Sequence, residues 1–379
     1  MKIGFMLRHV GARGGIGVYT RSLLDALLAI DEQDEFVLYY GSEEDVGRYQ
    51  AHANVTERVV KAKGKLLWDQ WAVPRIAVRE GIDVLFNLKL SVPLFSKIPS
   101  AFVLHGPEQF VVPSAYKLLD LIQSRIFMPR YLRKASAVIV STQDARKQVL
   151  SRIADIPESL HVVPASYSKE FEVKPQEELD AVRARYDLPD RFILFVGGLH
   201  PIKNIGRILR SLHLLRESWG DELPPLVIVG FKRWKVDGEL ALIDELGLGD
   251  KVLFPGFIPD ADLPAFYNLA TLFLFPSLYE GFGIPVLEAM ACGCPVVTSK
   301  AGAGPEVGGD AALFADPYNP REIADRVNDL LKNEGLRRSL SEKGIERALD
   351  FDWRNTAAAT LSLLLHVVRA KGGEEEPTP

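Results

Sequence analysis

The feature that most constrains this chain is a repeated alternation of short apolar runs with longer amphipathic stretches. In the first half, strand-sized runs fall at 2–7, 35–40, 84–87, 101–105, 137–141 and 161–164, with helical spacing between them, as at 18–30 and 68–79. The second half repeats the scheme, with strands expected at 192–196, 226–229, 252–254, 272–275, 296–299 and 312–314. Its helices are expected at about 204–217, 239–246, 264–269, 285–292 and 321–331. Near-continuous apolar strands are covered on both faces, which implies parallel sheets flanked by helices. A chain of 379 residues exceeds what one core holds, so two α/β domains are expected. The charged stretch 165–190 has little β character and sets the boundary, giving domains at 1–167 and 168–354. A last helix at 355–371 is expected to pack back on the first domain. The Gly-, Glu- and Pro-rich 372–379 reads as a disordered tail.

Composition excludes several classes. Hydrophobic residues at 47% fill two cores, and charged residues at 25% describe an ordinary globular chain. A net charge of −5 argues against a nucleic-acid binder, which carries a basic excess. No apolar run approaches the roughly 20 residues needed to span a bilayer. The first eight residues suit a strand better than a leader. Cys292 and Cys294 are too close to staple a fold and lack a second pair for zinc. A cytoplasmic location is the resulting expectation.

In open parallel sheets, ligands bind beyond the carboxyl ends of the strands. Two such sheets facing a central cleft would bring the loops after Leu7, His105, Val196, Val229 and Phe275 around one ligand. The richest of these runs Phe275-Pro-Ser-Leu-Tyr-Glu280-Gly281-Phe282-Gly283-Ile284-Pro285-Val-Leu-Glu288-Ala-Met-Ala-Cys-Gly293. A strand ends, a glycine loop follows, and a helix opens at Pro285, a residue suited to a first helical turn. The helix end offers free N–H groups and a positive dipole to a phosphate, and glycines let the backbone come close. Glu280 and Glu288 would be repelled by that phosphate and therefore suit hydroxyl groups: Glu288 those of a ribose, Glu280 those of a sugar. Glu288 alone is read equally well as a helix-dipole partner.

This segment, with Val252-Leu-Phe-Pro-Gly-Phe-Ile-Pro-Asp upstream and Gly304-Pro-Glu306-Val and Asp310-Ala-Ala-Leu downstream, resembles the group 1 (GT4-type) retaining glycosyltransferases. The resemblance is strong over about 191–330 and weaker in the first half. It implies the GT-B fold, two Rossmann-like β/α/β domains facing a central cleft, and hexosyl transfer from a nucleotide diphosphate-sugar with retention of anomeric configuration. Mannose or glucose is favoured.

Strand, glycine turn and helix recur at Phe195-Val-Gly-Gly198-Leu-His-Pro-Ile-Lys203-Asn204. A lysine at a helix start is unfavourable by dipole alone and calls for a negative partner. The resemblance makes that partner the donor diphosphate. Many relatives carry an arginine in this loop where this chain has Gly198 or Ile202. Arg207, Arg210 and Arg233 are the candidates to replace it. The loop after Val229 opens on Gly230, a further donor-side candidate. In the first domain, Leu7-Arg-His-Val-Gly11-Ala-Arg-Gly14-Gly15-Ile-Gly17 is similar to the family's phosphate-facing loop, with Gly15 at its centre. A dehydrogenase reading of Gly15-x-Gly17 lacks the third glycine, since position 20 is threonine, although Glu35 could serve as its acidic residue. His105 ends a strand and suits a sugar hydroxyl, and the resemblance places it near the reacting carbon. Arg8 and His9 are weaker candidates. The family's Pro-Asn-Gly corner is here Pro164-Ala-Ser-Tyr.

Neither metal nor cofactor is expected, although Asp260-Ala-Asp262 and Asp350-Phe-Asp352 carry the Asp-x-Asp spacing. Lys203 and helix dipoles would stabilise the departing diphosphate. The resemblance suggests same-face attack, with the leaving phosphate accepting the acceptor's proton. Catalytic roles fall on Glu280, His105 and Lys203. Donor-binding roles fall on Gly15, Gly198, Lys203, Gly230, Gly281, Phe282, Gly283, Ile284 and Glu288. Glycan, lipid-linked sugar and small molecule are the acceptor classes. Residues 117–152 hold eight Lys or Arg against two Asp, with Leu118, Leu119, Leu121, Ile122, Phe127 and Met128 interleaved. A solvated helix face is the plainer reading, and peripheral contact with an anionic inner-membrane face the sharper one. Competing activities are a non-hydrolysing nucleotide-sugar epimerase, which turns over without acceptor; a phosphorylase, which needs inorganic phosphate; and a silent sugar-nucleotide-binding subunit.

Overall fold

The computed structural model describes residues 1–8, 10, 11, 14–156 and 159–372. It divides into two compact units. Unit 1 comprises Met1–Phe110, Tyr116–Ala165 and the chain from Asp352 on, and unit 2 comprises Val111–Ala115 and Ser166–Phe351. His9, and the expected tail from 373 on, lie outside the described residues.

Unit 1 is built on seven parallel strands: β1 (Lys2–Met6), β2 (Glu35–Tyr40), β3 (Val55–Val59), β4 (Val84–Asn87), β5 (Ser100–Leu104), β6 (Ala137–Val140) and β7 (Leu160–Val162). They lie in the order β3-β2-β1-β4-β5-β6-β7. Unit 2 holds six: β8 (Ile193–Val196), β9 (Leu226–Val229), β10 (Val252–Leu253), β11 (Leu272–Phe275), β12 (Val296–Ser299) and β13 (Ala312–Ala315), ordered β10-β9-β8-β11-β12-β13. The helices that matter below are α1 (Gly15–Ile30), α2 (Leu118–Lys134), α3 (Gln176–Tyr186), α4 (Ile205–Trp219), α5 (Ile284–Ala291), α6 (Glu334–Ala348) and α7 (Trp353–Gly372).

Strands such as Ile-Leu-Phe-Val in β8 and Leu-Phe-Leu-Phe in β11 are buried along their whole length, as strands between two helical layers must be. In each unit the strand order reverses once, between β1 and β4 and between β8 and β11. That reversal splays the following loops to opposite faces and leaves a crevice at the carboxyl ends, the place where open α/β sheets take ligands.

Three elements escape the apolar pattern. β3 is an edge strand carrying Glu57 and Arg58, so its alternation is blurred by charge. Helix α3 buries little beyond Leu179 and Val182, and α6 buries only Leu340, Gly344 and Ala348. The helix expected at 239–246 is instead two short ones, Asp237–Leu240 and Leu242–Glu245.

Helix α7 packs along α1 within unit 1, burying Ala357, Thr360 and Leu364 completely. The chain thus passes between the units four times, the last two at 165–166 and 351–352. At these last two crossings, Thr356 Oγ1 donates to the Pro164 carbonyl in unit 1 at 2.7 Å, and Ser166 Oγ to the Phe351 carbonyl in unit 2 at 2.9 Å. No helix among the described residues is long and apolar enough to cross a membrane.

Candidate functional site

In unit 2 the site is assembled from loops that leave β8, β9, β11 and β12. After β8 the chain makes a single turn at Pro201–Lys203, and Asn204 follows in the left-handed conformation at φ 64°. Lys203 therefore precedes α4 rather than opening it. Asn204 is held by its side-chain amide, which donates to the carbonyls of Pro276 and Pro317 at 2.9 and 2.7 Å. The backbone N–H of Leu278 donates to the Ile202 carbonyl at 2.8 Å, drawing the loop after β11 onto this turn.

That closure brings Lys203 and Glu280 together. Lys203 Nζ lies 2.6 Å from Glu280 Oε1 and 4.5 Å above the centre of the Phe275 ring. The two side chains are 14% and 21% exposed, so the pair is poorly screened yet reachable. The negative partner that the sequence demanded for Lys203 is thus already present, and it is Glu280. Glu280 is clamped from behind. Ala303 N donates to its carbonyl at 3.1 Å, and a Cβ on Gly302 would stand 2.8 Å from that same oxygen.

Glu288 sits in the second turn of α5, 7% exposed, which removes the reading of it as a first-turn dipole partner. The hydroxyl of Tyr267, itself fully buried, donates to Glu288 Oε2 at 2.9 Å. Burial raises the Glu288 pKa to about 7. The Tyr267 hydrogen bond opposes the shift and the charge of Asp260 adds to it. One carboxylate oxygen is therefore committed inside the protein, and an arriving ligand competes with a proton for the group.

The glycines separate into kinds. Gly283 precedes α5 at φ 92°, a conformation that side chains rarely adopt. Phe282 packs its ring edge-on against Phe351 at 5.8 Å, and Ile284 is 9% exposed. Gly281 is buried in the same turn. Gly230 is bare because a Cβ there would stand 1.9 Å from the Gly197 carbonyl oxygen, so its loop presses on the loop after β8. A Cβ on Gly198 would meet Arg233 Nε at 2.7 Å. In unit 1, Gly15 has nothing within 4 Å of a built Cβ, so packing does not demand a glycine in the first turn of α1.

His105, just beyond β5, donates from Nε2 to the Leu88 carbonyl at 2.8 Å, which leaves Nδ1 as an acceptor. Burial holds its pKa down to about 4, so the ring is neutral. The Tyr19 ring meets it edge-on at 4.8 Å. The 87–92 loop it touches is fixed by a buried polar chain absent from the sequence-based expectations. Asn87 Nδ2 donates to Ser91 Oγ at 2.8 Å, and Ser91 Oγ to Asp69 Oδ2 at 2.9 Å. Arg8 Nε lies 3.7 Å from the other oxygen of Asp69. In unit 2 the sequence likewise concealed Tyr267 and Ser277. Ser277, 1% exposed just past β11, has no hydrogen-bond partner for its hydroxyl among the described residues. A tyrosine and a serine inside apolar segments carry no signal until their neighbours are known.

The basic stretch resolves into two kinds of residue. Met128 is core and Phe127 packs on it, whereas Leu118, Leu119 and Ile122 stand 72, 72 and 45% exposed on α2. Among the described residues, no group of three or more His, Cys, Asp or Glu is arranged to hold a metal ion.

The profile of the family described as glycosyl transferases group 1 matches residues 177–347. The chain is 26% identical over 368 residues to the O-antigen chain mannosyltransferase B of Escherichia coli, covering 92% of this chain and 95% of that protein. Among solved structures, sucrose-phosphate synthase from Thermosynechococcus elongatus superposes with a TM-score of 0.78 at 20% identity, over 97% of this chain and 99% of that one. HepE of Anabaena, solved in complex with UDP-glucose, superposes with a TM-score of 0.75 at 19% identity, over 97% of this chain and 100% of that one. These likenesses show a shared GT-B fold, with two Rossmann-like units.

Proposed function

We propose that this chain, whose residues 177–347 match the profile of the group 1 glycosyl transferases, transfers a hexosyl group from a nucleotide diphosphate-sugar to an acceptor hydroxyl with retention. Mannose is the favoured sugar, in keeping with the mannosyltransferase that aligns over most of its length. A nucleotide-sugar donor is also in keeping with the UDP-glucose held by a protein of the same fold.

The observation that carries the reading is the Lys203–Glu280 pair at the β8–β11 reversal. A cation and a carboxylate 2.6 Å apart suit the two sides of a glycosyl phosphate bond. Lys203 takes a phosphate oxygen and Glu280 a sugar hydroxyl. As the bond from the anomeric carbon to phosphate oxygen breaks, negative charge grows on the diphosphate, and Lys203 with the N-terminus of α5 stabilises it. The acceptor oxygen bonds to the anomeric carbon on the face the phosphate leaves, and its proton passes to the departing phosphate oxygen. Glu288 accepts a ribose hydroxyl through the capacity Tyr267 leaves open. His105, neutral with Nδ1 as acceptor, suits a sugar hydroxyl. No metal is assigned a part.

The test is kinetic, with GDP-mannose and UDP-glucose as donors and water and mannosides as acceptors. Glu288→Ala is expected to raise donor KM about tenfold or more, and Lys203→Ala and Glu280→Ala to cut kcat by about 100-fold or more. Activity should survive EDTA, and the product should keep the donor's anomeric configuration by NMR. Near-wild-type kinetics for all three variants would remove the assignment. Turnover without acceptor would favour an epimerase.

A further inference from the structure

We infer that Arg233 is a second cation of the diphosphate site, laid across the bare backbone of Gly198. The inference rests on the donor-site reading above and deepens it.

Lys203 alone is poorly matched to a diphosphate. Each phosphate brings negative charge, and the lysine's own charge is already shared with Glu280 at 2.6 Å. Four further arginines lie on the elements that follow β8 and β9, and one of them, Arg216 of α4, is paired with Asp250 at 2.9 Å. Arg207 is committed to the Asn204 side chain at 3.0 Å and lies over the Tyr318 ring. Arg210 donates to the Gly206 carbonyl of its own helix at 3.2 Å. Both act on the carboxyl of Glu239, whose pKa burial raises while the Gly206 N–H and these two arginines draw it down. Arg233 differs. Among the described residues it forms no ion pair, and its guanidinium carbon lies 4.8 Å from the centre of the Phe231 ring, which orients the group without neutralising it.

The backbone holds Arg233 in place. Beyond the strands, the loops after β8 and β9 continue to pair. Gly197 N donates to the Val229 carbonyl, Leu199 N to the Phe231 carbonyl and Arg233 N to the Leu199 carbonyl, each at 2.9 Å. The rings of His200 and Trp234 stack across the same seam at 4.9 Å. This pairing sets the Arg233 side chain against Gly198, where its Nε occupies the space a Cβ would need. Gly198 has no left-handed φ, so its lack of a side chain answers to space rather than to backbone conformation. Lys203 and Arg233 also converge on one ring. Burial holds His200 down to about 3, and the charges of those two residues push in the same direction. Two cations thus flank the β8 end, and only one of them has a carboxylate.

Calorimetric titration of the full chain with UDP, GDP, UDP-glucose and GDP-mannose tests this. Arg233→Ala and Arg233→Met should each weaken the bound diphosphates about 10- to 100-fold. The methionine variant keeps the packing over Gly198, and thermal melts check that both variants fold. The charge can also be returned from the other loop. Gly198→Arg combined with Arg233→Ala removes the collision and should recover affinity to within about threefold of wild type. If Lys203→Ala loses diphosphate binding while both Arg233 variants bind like wild type, the inference falls and the donor-site reading stands. Weakened Arg233 variants that the transplanted arginine fails to rescue would also overturn it. A folded wild-type chain that binds none of the four probes removes the donor-site reading, and this inference with it.

Discussion

At the scale of single residues, Glu288 ties stability to ligand binding through one proton. Its pKa of about 7 in the folded chain lies above the ordinary glutamate value of 4.5, so the folded state holds a proton that the unfolded state releases. The stabilisation this provides is complete below pH 4.5 and is lost as the pH rises through 7, about 3 kcal/mol in all. Glu288→Gln keeps an acceptor for the Tyr267 hydroxyl and abolishes the titration. Urea melts of the two proteins should diverge with pH, the variant becoming the more stable by about 2 kcal/mol at pH 8. A difference that stays constant from pH 5 to pH 8 would show that Glu288 does not titrate there. His105 has the opposite sign. Its pKa of about 4 means its contribution is lost as the pH falls from its ordinary 6.5 through 4, and the comparison of variant with wild type cancels that effect.

At the scale of elements, the ends of β8 and β9 must touch, and one glycine permits it. Gly230→Ala would put a methyl carbon 1.9 Å from the Gly197 carbonyl oxygen, so the seam has to open. A loss of about 2–4 kcal/mol is expected, visible as a lower melting temperature, together with weaker binding of nucleoside diphosphates. Gly15→Ala is the contrasting change. It adds a methyl group in open space at the start of α1 and should leave stability unchanged or raise it by a few tenths of a kcal/mol. If donor KM nonetheless rises in that variant, Gly15 is bare for a ligand rather than for the fold. Unchanged KM would remove it from the site.

At the scale of the whole molecule, a helix that follows unit 2 in the chain completes the core of unit 1. Leu364 of α7 is fully buried there. Leu364→Asp places an unpaired charge in that core and should cost about 3–5 kcal/mol. Hydrogen exchange followed by mass spectrometry should show lost protection in α1 and β6, with β8–β12 unaffected at the same denaturant concentration. Equal loss in both units would mean that the two unfold as one cooperative body.

The alternation of strands and helices, the reversal loops and the residues of the Glu280–Glu288 segment were all legible in the chain, because apolar period, glycine placement and helix punctuation are local properties. Elements whose stabilisation comes from few apolar contacts, such as β3, α3 and α6, were not. Partnerships were also beyond reach. Lys203 and Glu280 are 77 positions apart, and they meet because β11 adds beside β8 rather than beside β10. The same reversal in unit 1 lies beside the Asn87–Ser91–Asp69 chain, and the pairing of the β8 and β9 loops lays Arg233 over Gly198. Sequence determined which residues stand at the strand ends. Strand order and burial, which depend on how the whole sheet assembles, decided what each of them faces and which charges remain available to a ligand.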